Sequence, residues 1–280
     1  MPELPEVETI RQFLDNKVNN LRITKVKKSK FALRFPFPKS FSKQIINSQI
    51  RKIARRGKYL LFYLNNDKVI IMHLGMTGRL TLLSNKNSIN SIKKNIHDHV
   101  IFYFHNNNIL VFNDTRRFGY VTIETEKLLY QNKFLKFLGQ EPLNSEFNYL
   151  KIIGPLKRGR QGIKQFLLNQ KFIAGLGNIY VSEILFKSKI SPFNLANQID
   201  KKKAKNLVKS IKYILVQAIK AGGSTLRDYR KIDGSVGYFQ FRWKAYRRNG
   251  QKCTRKSCKG IIKKVTQNKR ATYYCPVCQK

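Results

Sequence analysis

Long apolar runs are absent from this 280-residue chain. None approaches the roughly 18–20 residues that a membrane-spanning helix requires. The N-terminus also lacks the charged, apolar and cleavage-site regions of a secretory signal. A soluble, cytoplasmic protein is expected. Acidic residues are scarce: 15 Asp and Glu stand against 56 Lys and Arg, a net charge of +41. That excess points to a polyanionic partner held largely through counterion release. An anionic membrane surface is the other candidate. The abundance of Lys, Asn, Ile, Phe and Tyr also suits an AT-rich genome, in which part of the charge is solvated surface. Internal repeats are lacking. Cysteine is limited to four residues, all near the C-terminus. The 42 % hydrophobic content is enough for real cores and argues against disorder, and the length suggests about two domains.

The chain begins MPELPEVET. Pro2 is small enough for Met1 to be trimmed, leaving a terminal secondary amine. An α-amino group ionises near about 7.7–8.0, well below lysine, so a useful fraction is unprotonated and nucleophilic at neutral pH. Glu3 and Glu6 stand close by as groups that move protons. The same run also reads as a helix start. Pro5 fits the first helical position, and Glu6 and Glu8 offset the dipole. Val7, Ile10 and Phe13/Leu14 then recur at helical spacing. The two readings are compatible.

Up to about Glu126 the chain reads as a β-sandwich or barrel. Tyr59–Leu64, Val69–Leu74, Val100–Phe104, Ile109–Phe112 and Tyr120–Ile123 are short apolar runs, and Asn65–Asp67 and Asn106–Asn108 fall between neighbours as hairpin turns do. Ser84–Asn95 reads as a loop. From about Lys127 to Arg230 the pattern is helical, with segments near 162–168, 178–186 and from Asp200 to the Gly222-Gly223 stop. Gly175-Leu176-Gly177-Asn178 offers either a phosphate-binding helix N-terminus or an ordinary connection between helices. The third part, 231–280, holds Cys253, Cys258, Cys275 and Cys278 in a C-x4-C-x16-C-x2-C pattern with strand-like stretches between the pairs. One structural zinc fits that spacing, and four thiolates leave no open catalytic position. Two disulfides are the alternative, disfavoured in an intracellular chain. Arg270 lies in the approach to the second strand, as a phosphate ligand or a plain surface residue.

Together these segments resemble the bacterial formamidopyrimidine-DNA glycosylase family over essentially the whole chain. The matching motifs are MPELPEVET, Arg56–Leu60, His73–Gly78, His97–His99, Arg116–Gly119, Gly175–Tyr180, Gly237–Phe239 and Arg270–Cys275. The resemblance implies an α+β multidomain fold: a catalytic β-sandwich (1–126), a helix–two-turn–helix domain (127–230), and a lesion-capping loop with a zinc-finger hairpin (231–280). It implies a bifunctional DNA glycosylase/AP lyase of base excision repair, acting on oxidised purines in damaged double-stranded DNA as a monomer. Pro2 is implied as the Schiff-base nucleophile, Glu3 as the acid and Glu6 as its support. Lys58 is implied for β-elimination and Arg270 for δ-elimination. Met76, Arg116 and Phe118 resemble the wedge that fills the duplex once the base is extruded. His73, His97, Arg160 and Asn178 are implied DNA-binding residues. An endonuclease VIII-like glycosylase for oxidised pyrimidines is the nearest rival, and a non-catalytic DNA-binding protein the more distant one. Three departures from the family pattern stand out: the widened first cysteine pair, expected to distort its knuckle; Thr115 in place of a proline; and Ser235-Val236 in the capping region.

Overall fold

The computed structural model describes residues 2–83, 95–224 and 237–280. The expected loop at 84–95 falls outside them except for Asn95, as do Ser235 and Val236. Two compact units emerge: Met1–Lys136 with Gly222–Gly237, and Phe137–Ala221 with Tyr238–Lys280.

The first unit opens with helix α1 (Leu4–Val18), which has a proline in its first turn. Val7, Ile10, Leu14 and Val18 form its apolar stripe and are all buried. Each such side chain contributes about 1.5–3 kcal/mol on burial. Eight strands follow: β1 (Ile23–Lys28), β2 (Ile50–Arg56), β3 (Tyr59–Leu64), β4 (Lys68–His73), β5 (Arg79–Leu83), β6 (Asp98–Phe104), β7 (Ile109–Asn113) and β8 (Tyr120–Thr125), with the short helix α2 (Phe41–Ile45) after β1. They form two antiparallel four-stranded sheets, ordered β1-β6-β7-β5 and β2-β3-β4-β8. Phe102, Leu110 and Phe112 of one sheet share a single core with Leu60, Phe62, Ile70 and Met72 of the other. The arrangement is therefore a sandwich and not a barrel. The two hairpin turns form where expected, with Asp67 and Asn107 at positive φ of 58° and 66°, a conformation these short polar residues tolerate.

Strands β1 and β2 went unmarked by the sequence. ITKVKK and IRKIARR each bury few residues, so their inward positions are outnumbered by lysine and arginine.

The second unit contains α3 (Tyr149–Arg158), α4 (Ile163–Leu168), α5 (Asn178–Ser188) and α6 (Lys201–Lys220), then the hairpin β9 (Lys263–Gln267) and β10 (Arg270–Tyr274). Asp200 caps α6 by accepting the Lys203 N–H at 2.7 Å. Glu183 on α5 is buried. Its carboxylate accepts the N–H groups of Lys244, Ala245 and Tyr246 at 2.8–2.9 Å, fastening the chain just before the finger. Burial raises its pKa against the pull of those bonds.

Candidate functional site

In the first unit, the start of α1 is held by Glu6. One of its carboxylate oxygens accepts the Glu3 N–H at 2.8 Å, as a capping residue does. The other accepts the Ser224 N–H at 2.8 Å. Gly223 is at φ +76°, and a Cβ there would meet Glu6 at 3.1 Å. Glycine thus permits the close approach on which the Ser224 bond depends. Pro2, Glu3 and Glu6 are all buried.

Lys58 follows Gly57, the positive-φ residue of the β2–β3 turn, and is largely buried. An ion pair links this turn to α1. Arg55 meets the Glu8 carboxylate at 2.9 Å and donates to the Gly57 carbonyl at 2.9 Å. His73 is cross-strand neighbour to Tyr59. Burial lowers its pKa to about 4, with Lys58 and Arg34 adding like-charge repulsion. The His73 ring is therefore neutral at pH 7. Its Nδ1 accepts the Gly75 N–H at 3.0 Å, so the ring proton sits on Nε2.

Met76, Arg116 and Phe118 belong to two loops that meet. Asp114, fully buried, joins them: its carboxylate bonds the Thr77 hydroxyl and the N–H groups of Gly119 at 2.7 Å and Arg116 at 3.3 Å. The Asp114 N–H in turn donates to the His97 carbonyl at 3.0 Å. A Cβ on Gly75 would collide with Gly119 at 2.3 Å, which shows how closely the loops pack. Met76 and Phe118 are 38 % and 42 % exposed, and the Arg116 guanidinium lies 4.7 Å from the Phe118 ring centre. Phe118 is therefore no core residue. Thr115 leaves the loop tied through Asp114, which the sequence did not single out.

In the second unit, Arg270 is exposed at the start of β10, after the two-residue turn Asn268-Lys269, both at positive φ. The next residues are clamped. Lys164, only 3 % exposed, donates to the Ala271 carbonyl at 3.0 Å and the Thr272 hydroxyl at 2.6 Å. Asn178, at the start of α5, donates to the same Ala271 carbonyl at 2.9 Å. Burial, with Arg270 nearby, lowers the Lys164 pKa to about 8. A hollow of about 320 Å³ is lined by Lys164, Gln165, Asn268 and Arg270. Arg160 is exposed two residues before the N-cap of α4. Lys164 is a second residue that sequence reasoning passed over; it looked like one more lysine in a lysine-rich chain. Of the capping segment, Phe239 is buried and packs on Tyr180 with ring centres 5.7 Å apart.

The four cysteine sulfurs lie within 4.8 Å of one another. Cys253–Cys278 and Cys258–Cys275 are 3.9 and 3.6 Å apart. A tetrahedral zinc with bonds of about 2.3 Å places sulfurs roughly 3.8 Å apart, so the donor set fits one structural zinc. The two additional residues of the first knuckle do not spread the sulfurs. They belong to a turn that sends Arg255 to the Phe186 carbonyl at the end of α5, at 2.6 Å.

A buried, carboxylate-braced helix start on a sandwich, in a strongly basic chain that also carries a helical unit with a zinc hairpin, fits a nucleic-acid enzyme. Residues 1–121 match the formamidopyrimidine-DNA glycosylase N-terminal domain, residues 138–230 its H2TH domain, and residues 250–280 the zinc finger found in FPG and IleRS. The formamidopyrimidine-DNA glycosylases of Bradyrhizobium sp. and Nitrobacter winogradskyi are 39 % and 40 % identical, with full coverage of both chains. Lactococcus lactis Fpg in complex with abasic-site DNA superposes with a TM-score of 0.89 at 34 % identity, over 99 % of each chain. A glycine-to-proline mutant of the same enzyme, bound to Fapy-dG DNA, gives 0.89 at 34 % over all of both. The chain belongs to the formamidopyrimidine-DNA glycosylase family, and is accordingly a base-excision-repair DNA glycosylase with AP-lyase activity. Among the described residues no helix is long and apolar enough to cross a membrane.

Proposed function

We propose that this enzyme removes oxidised purines, 8-oxoguanine and formamidopyrimidines, from damaged duplex DNA in the cytoplasm, acting as a monomer with the three-part division 1–126, 127–230 and 231–280. With Met1 removed, the Pro2 amine attacks C1′ of the damaged nucleotide. The N-glycosidic bond breaks, the base leaves with a proton, and a C1′ iminium remains. Glu3 supplies and recovers protons at the sugar. Glu6, whose two oxygens accept backbone N–H groups, keeps the helix start in place. Loss of the C2′ proton then expels the 3′ phosphate, with Lys58 assigned to this step. Elimination of the 5′ phosphate follows, with Arg270 assigned there.

Extruding a base unstacks its neighbours at a cost of a few kcal/mol. Met76 and Phe118 offset that loss by stacking in the gap, and Arg116 bonds the orphaned base. His73 gives the backbone an Nε2–H donor without a charge, while His97, Arg160 and Asn178 address phosphates. Cys253, Cys258, Cys275 and Cys278 hold zinc, which stiffens the hairpin carrying Arg270.

The observation that best supports this reading is the meeting of Met76, Arg116 and Phe118 through Asp114. Local structure does not require those two loops to touch. Borohydride trapping on duplexes containing 8-oxoguanine or thymine glycol tests it. A trapped adduct is expected, forming far more slowly in Pro2→Gly and more strongly with 8-oxoguanine. Preference for thymine glycol would move the enzyme to the endonuclease VIII-like class.

A further inference from the structure

One strongly basic surface of the first unit lies outside the machinery described so far. A groove of about 780 Å³ runs over the outer face of β1 and β6. Val26, Val100 and Phe102 point into the sandwich. Alternation therefore sends Lys25, Lys27, Ile101 and Tyr103 outward. Lys25 pairs with Tyr103 and Lys27 with Ile101 across the strands. Both ammonium groups lean over the Tyr103 ring, 5.9 and 5.5 Å from its centre, so two charges gather at one side chain. Lys30 and Phe31 line the same groove. Asp98 is the acidic lining residue, and its carboxylate already accepts the Asn113 amide at 2.7 Å.

We propose that this groove is a second DNA track, which takes the phosphodiester backbone of the same duplex beyond the lesion. Its continuity with the lesion site is the strongest support. Ile96 and Asp98 line the groove on either side of His97. At the other lip the Arg117 guanidinium stands 5.8 Å from the Phe31 ring centre, and Arg117 lies between the wedge residues Arg116 and Phe118. Phe31 and Ile96, 53 % and 70 % exposed, give the deoxyribose carbons an apolar edge. The inference rests on the DNA-lesion reading of His97 and Arg116.

A competing explanation is protection of a sheet edge. β1 is an edge strand, and lysines on an edge discourage strand pairing with other molecules. That role needs neither a groove nor a neighbouring wedge. Binding to duplexes of two lengths, each with a stable abasic analogue, separates the explanations. One has about 12 base pairs, little more than a helical turn, and the other about 30. For Lys25→Ser/Lys27→Ser, the ratio of long-duplex to short-duplex affinity should fall about tenfold at low salt. The salt slope on the long duplex should drop by about 1.8, the share of two neutralised phosphates. Lys202→Ser/Lys209→Ser, on the exposed side of α6, controls for bulk charge and should keep the ratio. An unchanged ratio in the β1 variant, as for edge lysines or an acidic protein partner, would overturn the proposal. So would an equal change in the control. Failure of the lesion reading would look different: the unmodified enzyme would then not bind the short duplex selectively.

Discussion

The Asp114 carboxylate accepts the backbone N–H of Gly119 at 2.7 Å, closing the loop that displays Arg116 and Phe118. The same carboxylate bonds Thr77, the neighbour of Met76. One buried charge therefore sets the shape of both loops. Removing it leaves backbone donors without partners. Asp114→Ala should cost about 2–4 kcal/mol of stability, as expected for buried bonds to a charged group. Discrimination of the base opposite the lesion should weaken with it. Urea unfolding together with cleavage of 8-oxoguanine opposite each base measures both effects. Unchanged stability would remove Asp114 as the organiser.

Phe118 should behave in the opposite way. At 42 % exposure it contributes little to the core. Phe118→Ala should melt close to the parent yet cleave lesions slowly, because the inserted ring helps unstack base pairs. Arg116→Ala should chiefly relax discrimination of the opposite base. A large melting loss in Phe118→Ala with normal cleavage would contradict the wedge role.

Cys258→Ser should lose zinc and DNA affinity together. The hairpin buries few apolar residues of its own, and metal binding in such modules is coupled to folding. Elemental analysis and a binding titration are the measurements. Full affinity without zinc would refute the coupling.

Lys164 holds the strand that carries Arg270. Lys164→Met keeps most of the side-chain volume but leaves the Ala271 carbonyl and Thr272 Oγ1 without its ammonium. If Arg270 performs the second elimination, the variant should accumulate β-elimination product while base excision persists. Gel separation of the two products reads this directly. A proportional fall in excision and both eliminations would show general damage and no positioning role.

The sequence displayed what local pattern controls. The β3 boundaries, the α1 stripe and the Asp200 cap follow from periodicity and capping chemistry. Other features depend on partners distant in the chain. Asp114 gains its meaning from Thr77 and His97, Lys164 from Ala271, and Glu183 from the backbone of 244–246. None of these pairings leaves a periodic trace. β1 and β2 were hidden for another reason: with only one face buried, their lysines and arginines obscure the alternation.

His73 yields the sharpest pH prediction. Its pKa is near 4 in the folded protein against the ordinary 6.5 of a solvated histidine. Between those values the unfolded chain binds a proton that the folded protein does not. Stability therefore rises with pH across this window, and is lost as pH falls from about 6.5 toward 4. Protonating Nδ1 also removes the acceptor for the Gly75 N–H, at the entrance to the Met76 loop. Acid should thus loosen this loop before the sandwich unfolds. His73→Gln lacks the titration. Its melting temperature should fall less than the parent's between pH 7 and about pH 4.5. Parallel decline of the two proteins over that range would show that His73 is not the titrating group.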